Sequence, residues 1–177
     1  AIFINPTARA DASTEIAWGT AQNITGDGDV STEGTLVAAF NLGPVAVAGT
    51  TVNGVTFAPF GISSGASSTA TIGDFSFYTF GAITSGSNAG AGSGAFTGLG
   101  SSYQSLLSNY SSSPGISVTT LSISGLTAGQ EYLFEWWANY SSTNGSLYTT
   151  GATATNTVTL DANTSDAVGG VGQYAIG

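Results

Sequence analysis

The chain is expected to fold as an all-β, antiparallel β-sandwich with one short helix near residues 102–110, and three observations carry that expectation. Short runs rich in β-branched and aromatic residues recur between clusters of Gly, Ser, Asn and Thr, the spacing of a sheet protein. Asn53-Gly54 separates Thr51–Val52 from Val55–Phe57, and an Asn-Gly pair readily takes the positive φ that a two-residue hairpin needs at both positions. Residues 121–139, LSISGLTAGQEYLFEWWAN, read as strand, tight turn and strand.

Taken in order, strands are expected at Ile2–Asn5, Ile16–Trp18, Thr35–Asn41, Val45–Ala48 and in the two arms of the Asn53-Gly54 hairpin. In Asp74–Phe80, Phe75 and Phe77 alternate with Ser76 and Tyr78, the period of a half-buried strand. Ile116 and Val118 share one phase while Leu121 and Ile123 share the other, so Ile116–Ser124 is expected to bulge near Thr119–Thr120. Glu131–Asn139 places Tyr132, Phe134, Trp136 and Ala138 on one face and Leu133, Glu135, Trp137 and Asn139 on the other. Aromatic residues on both faces mark a central strand. Asn156–Asp161 and Gln173–Ile176 complete the set. Tyr103, Leu106, Leu107 and Tyr110 recur at helical spacing behind the capping residues Ser101 and Ser102, and Gly81–Gly100 reads as a long loop. The core is expected around Phe75, Phe77, Tyr132, Phe134 and Trp136. Residues 1–12 form an N-terminal strand and linker, and residues 13–177 a single β-sandwich domain.

Composition restricts the chemistry. The 177 residues include one Arg (Arg9), no Lys, His, Cys or Met, and ten Asp and Glu, for a net charge of −9. Without imidazole, thiol or amine, carboxylates are the only strong acid–base groups left, and the chain is not expected to be an enzyme. Neutralising phosphates takes Lys and Arg, so nucleic acid and anionic membrane surfaces are disfavoured as partners. No run approaches the roughly 18 apolar residues of a membrane helix. No side chain enters the sulfur oxidation ladder, which suits a protein that persists outside a cell. The start at Ala1, without a charged and apolar leader, reads as an exported, processed chain.

Several segments are candidates for sites. In GDGDVSTEG, Asp27, Asp29, Ser31 and Glu33 alternate along a Gly-containing loop, an all-oxygen set that suits calcium, although the EF-hand ligand pattern is absent. Asp161, Asn163 and Asp166 form a second oxygen-rich cluster; a solvated turn is the competing reading of both. Glu131 and Glu135 share a strand but lie roughly 13 Å apart if extended, whereas glycosidase pairs need about 5–9.5 Å. Trp137 could stack on a sugar or lie beneath a second layer. GVGQYA at Gly170–Ala175 fits G-x-G-x-x-A, yet no helix can follow it before Gly177, so dinucleotide binding is rejected. Sequons at Asn23, Asn109, Asn139, Asn144 and Asn163 make glycosylation of a surface protein an open reading.

The GLTAGQEY turn is similar to the Leu-x-x-Gly-x-x-Tyr corner of fibronectin-type sandwiches, through Leu126, Gly129 and Tyr132. WGTAQNITGDGDVSTEGTLVAAFNLG (Trp18–Gly43), TTVNGVTF ending at Phe57, the corner leading to Tyr132, and NTVTLDANTSDAVGGVGQYAIG (Asn156–Gly177) together resemble secreted bacterial β-sandwich domains of unknown role. Such domains often occur in proteins with PEP-CTERM-type sorting tails. The resemblance implies an exported, jelly-roll-like sandwich and supplies no catalytic residue. Members of that group usually continue beyond the segment matching GQYAIG with a further strand or two, which this chain lacks, while Ala1–Ala12 is additional here. A sandwich short of a strand presents unpaired backbone groups beside an apolar groove.

A tethered strand can fill such a groove in a neighbour. The expected function is therefore a structural subunit of an extracellular filament or surface assembly, a noncovalent homopolymer in which Ile2, Phe3 and Ile4 enter the adjoining copy. Pairing of that strand within its own chain is the competing geometry. A secreted carbohydrate-binding module, with glycans as partners and calcium as its one candidate ion, is the alternative function; a carboxylate hydrolase is the third.

Overall fold

The computed structural model describes residues 2–7, 16–88, 90–112, 119–142, 149–153 and 155–177. In chain order the strands are β1 (Ile2–Thr7), β2 (Gln22–Asn23), β3 (Ala38–Gly43), β4 (Thr50–Val52), β5 (Val55–Gly61), β6 (Gly65–Ile72), β7 (Phe75–Ser87), β8 (Asn109–Ser112), β9 (Thr119–Ile123), β10 (Glu131–Ala138), β11 (Thr149–Thr153), β12 (Thr157–Asp161) and β13 (Gln173–Ile176). The helix α1 (Ser101–Leu107) follows a 3₁₀ turn at Gly94–Gly98.

The fold is mostly β, with one short helix, several antiparallel sheets and no closed barrel. Seven strands form the largest sheet in the order β2-β13-β10-β1-β3-β5-β4. Its pairs are antiparallel except β3 and β5, which run parallel, a departure from the all-antiparallel expectation. Residues 44–49 carry the chain across to β4, which runs back along β5, and this connection occupies the segment in which Val45–Ala48 is expected to be a strand. Val47 N instead donates to Pro44 O at 2.8 Å and closes a turn. In a second sheet β6 lies on one side of β7, with β8 and β9 on the other, and β11 and β12 make a separate hairpin.

The large sheet is covered on both faces because its strands alternate two apolar sets. One face carries Phe40, Phe60, Tyr132, Phe134 and Trp136, packed with Phe75, Phe77, Leu121 and Ile123 of the second sheet. Phe40 meets Phe75 edge-on at 5.0 Å and Phe60 meets Phe77 at 4.9 Å, the geometry that aromatic quadrupoles favour. The expected core lies here. Val52, Phe57, Leu133, Trp137 and Tyr174 line the other face, beneath Tyr103, Leu106 and Leu107 of α1. A third cluster joins Trp18 to Val158, Leu160 and Ala175.

Local signals survive intact. Asn53 (φ 47) and Gly54 (φ 78) take the left-handed values of a two-residue hairpin. At the corner, Thr127 N donates to Tyr132 Oη at 2.8 Å. Tyr132→Phe is expected to lower stability by about 0.5–1 kcal/mol, since water can reach exposed Thr127, and to leave assembly unchanged; thermal unfolding and light scattering check both.

Several expectations fail for one reason, that pairing partners override local composition. β7 runs on to Ser87 through the segment expected to be loop, because β8 pairs with Thr84–Ser87. Tyr110 belongs to β8, so the helix ends at Leu107. β6, composed of small residues, was not expected as a strand; it pairs along β7 from Gly65 to Ile72. Ile16–Trp18 is not a strand, although Trp18 is fixed by both amide atoms of Asn156, at 2.7 and 2.8 Å. β9 pairs with β7 in unbroken register from Thr119 to Ile123, and the start of the expected bulged segment, residues 116–118, lies outside the described residues.

Candidate assembly site

β1 occupies the centre of the large sheet, within its own chain. Ile2, Phe3, Ile4, Asn5, Pro6 and Thr7 pair antiparallel with Trp136, Glu135, Phe134, Leu133, Tyr132 and Glu131 of β10. On its other side Ile2, Phe3 and Ile4 pair with Phe40, Ala39 and Ala38 of β3. Among the described residues β3 and β10 share no ladder, and the sheet passes from one to the other through β1. Strands neighbour one another at about 4.7–4.9 Å, so the slot between β3 and β10 is one strand wide. Residues 8–15, which link β1 to the rest, lie outside the described residues.

On the face of β10 opposite the aromatic core, Glu135 is fully buried between Leu133 and Trp137 in sequence. Its Oε2 accepts a hydrogen bond from Ser31 N at 3.1 Å, and its Oε1 is buried without a partner. Burial pushes the carboxyl up to about 8 against the pull of the Ser31 amide, and the negative charge of Asp29 pushes the same way. Asp29 is held in a tight loop: it accepts from Thr25 N and Oγ1 at 2.7 Å each, from Gly26 N at 3.0 Å and from Tyr103 Oη at 3.2 Å. Burial, then Asp29, raise the phenol of Tyr103 well above its ordinary range. Beside this loop an open cleft of about 310 Å³ is lined by Asp29, Ser31, Glu33, Asn53, Tyr174 and Ile176.

The candidate calcium ligands do not converge. The oxygens of Asp29 are engaged by its own loop and by Tyr103. Exposed Asp27 abuts the start of α1, where a Cβ on Gly100 would lie 2.5 Å from its Oδ1. Glu33 is exposed in the following segment. In the second cluster, Asp161 Oδ1 accepts from Asn163 N at 2.8 Å and Asn163 Oδ1 from Ser165 N at 3.2 Å, so these side chains shape a turn. Among the described residues no three acidic side chains gather closely enough to hold an ion.

Glu131 is exposed and Glu135 buried, so the two carboxylates share no solvent space. Trp137 is buried, edge-on to Phe57 and stacked on Tyr174, which makes it a core residue. Asn23 is exposed and Asn109 and Asn139 are half-buried, while Asn144 lies outside the described residues. Asn163 is fully buried and its Nδ2 donates to Ser142 O and Ala167 O, which leaves no room for a glycan in the folded chain. Sequence reasoning missed Glu135 as a buried acid; its signal was a lone charge between aromatic residues on a strand already read as central.

No protein-family model, no curated protein and no solved structure matches this chain. No helix among the described residues is long and apolar enough to cross a membrane.

Proposed function

We propose that this protein is a structural subunit of an extracellular filament or surface assembly, in which β1 of one copy occupies the slot between β3 and β10 of the next. The observation that carries the reading is the place of β1. The first described strand is the middle strand of the largest sheet, bonded on both edges, and the other twelve strands among the described residues follow it in sequence. The ladder seen within one chain is chemically identical to the ladder a neighbour's strand would make. Which copy supplies it depends on linker strain and on concentration. Head-to-tail donation does not close on itself unless the rotation is special, so it generates an open filament.

The proposal includes the finer fold class, a jelly-roll-like sandwich of the secreted type that the motifs resemble, and an assembly held without Lys-dependent crosslinks. A carbohydrate-binding module gains less support: Trp18 and Trp137 are buried, and Trp136 is packed in the aromatic core.

Imaging of the purified chain by negative stain, with light scattering across a concentration series, tests the reading. Ordered fibres are expected, and Ile4→Asp, which puts a charge in the donated strand, should abolish them. A monodisperse monomer at every concentration, with Ile2–Thr7 protected from amide exchange in cis, would overturn it.

A further inference from the structure

Buried polar atoms normally find partners, and an orphaned carboxylate oxygen in a packed sheet calls for a reason. Glu135 sits in the strand that receives β1, directly opposite Phe3 on one side and Ile176 on the other. Its Oε2 is engaged by Ser31 N, and its Oε1 has no partner. We propose that Glu135 is a pH-sensitive lock on the strand slot: protonated, it lets β1 close against β10, and ionised, it loosens that pairing and releases the strand.

The groups around Glu135 make the direction unambiguous. From the 3₁₀ turn at Asp27–Asp29 comes the carboxylate of Asp29, a like charge that disfavours a second one. Helix α1 supplies Tyr103 and β13 supplies Tyr174, both phenols held up by burial and so neutral. The chain's amino terminus acts in the opposite sense, as the last and smallest influence on Glu135. β1, β3, β4 and β5 carry no titratable side chain. Ionisation therefore puts a charge with one amide hydrogen bond beside Asp29, with neither Lys nor His in the chain to answer it. The cheapest relief is local. Lifting the Asp29–Ser31 loop or withdrawing β1 lets water reach the carboxylate, and β1 is the strand paired directly against Glu135, Phe3 lying opposite it. A proton thus becomes a ligand of the closed slot. The consequence for assembly, with acidity favouring polymer and alkalinity favouring release, rests on the strand-donation reading above.

Amide hydrogen exchange of Ile2–Thr7 between pH 6 and pH 9, corrected for intrinsic rates, tests the lock. Protection of these amides is expected to fall on the order of tenfold or more with a midpoint near 8, and the fall should vanish in Glu135→Gln. In the unmutated protein, carboxyl-carbon NMR of the four glutamates should show one titrating near 8 and moving with the β1 amides. This second measurement stands even if Glu135→Gln fails to fold. An unchanged pH profile in the variant, or four ordinary titrations, would overturn the lock. Negative stain at pH 6 separates the two proposals: a monomer whose own β1 is released at alkaline pH upholds the lock and overturns the filament, whereas fibres that persist unchanged at pH 9 overturn the lock alone.

Discussion

A chain lacking residues 1–7 is expected to lose assembly and to unfold at much lower temperature than the full chain, and a synthetic peptide of sequence AIFINPT is expected to restore its stability in proportion to peptide concentration. Removing β1 deletes six paired positions on β10 and three on β3, and turns two inner strands into edges. The uncovered strands carry Phe40, Phe134 and Trp136 from the aromatic core. Domains of this size are typically stable by only about 5–15 kcal/mol, and opening the centre of the main sheet consumes much of that. A peptide that binds only the folded, open form raises stability as RT ln(1 + [L]/Kd), so the unfolding midpoint should climb with the logarithm of peptide. In mixtures with full-length subunits the truncated chain accepts a strand and passes none on, so it should cap growing ends and shorten fibres. A truncated chain as stable as the full one, indifferent to peptide, would sink both the slot and the assembly built on it.

The second large effect is an inverted dependence of stability on pH. Glu135 titrates near 8 when folded and near the ordinary glutamate value when unfolded. Between those values the folded state holds a proton that the unfolded chain releases, so stability falls as pH rises. The contribution is constant below about pH 4, declines through neutrality and levels off above about 8, with a total change on the order of 3–5 kcal/mol. Urea midpoints measured from pH 5 to pH 9 should therefore decrease steadily, and the slope should flatten in Glu135→Gln. A chain equally stable at both ends of that range would show that water already reaches the carboxyl.

Fold and site were legible to different depths. The two faces of β10 followed from side-chain alternation alone, and each half of the pattern found its own layer: Tyr132, Phe134 and Trp136 against the second sheet, Leu133 and Trp137 beneath α1. The hairpin at Asn53-Gly54 and the corner at Tyr132 were legible because they are closed by residues a few positions apart. β6 and the later half of β7 were not, since their small residues have weak intrinsic preference and become strands only when paired. Asp29 looked like a metal ligand in an alternating run, yet its loop turns the carboxylate back onto Thr25, Gly26 and Tyr103, a residue 74 positions away.

The residue inventory by itself determined the chemistry open to this protein: with one cation and no imidazole or thiol, little remains except packing, hydroxyls and carboxylates. It also determined the local periods from which most strands arise. Only the tertiary structure decided that β1 is the keystone between β3 and β10 and that Glu135 lies sealed under Ser31. Periodicity is a property of neighbours along the chain, whereas a slot and a desolvated charge depend on segments more than a hundred residues apart coming to lie side by side.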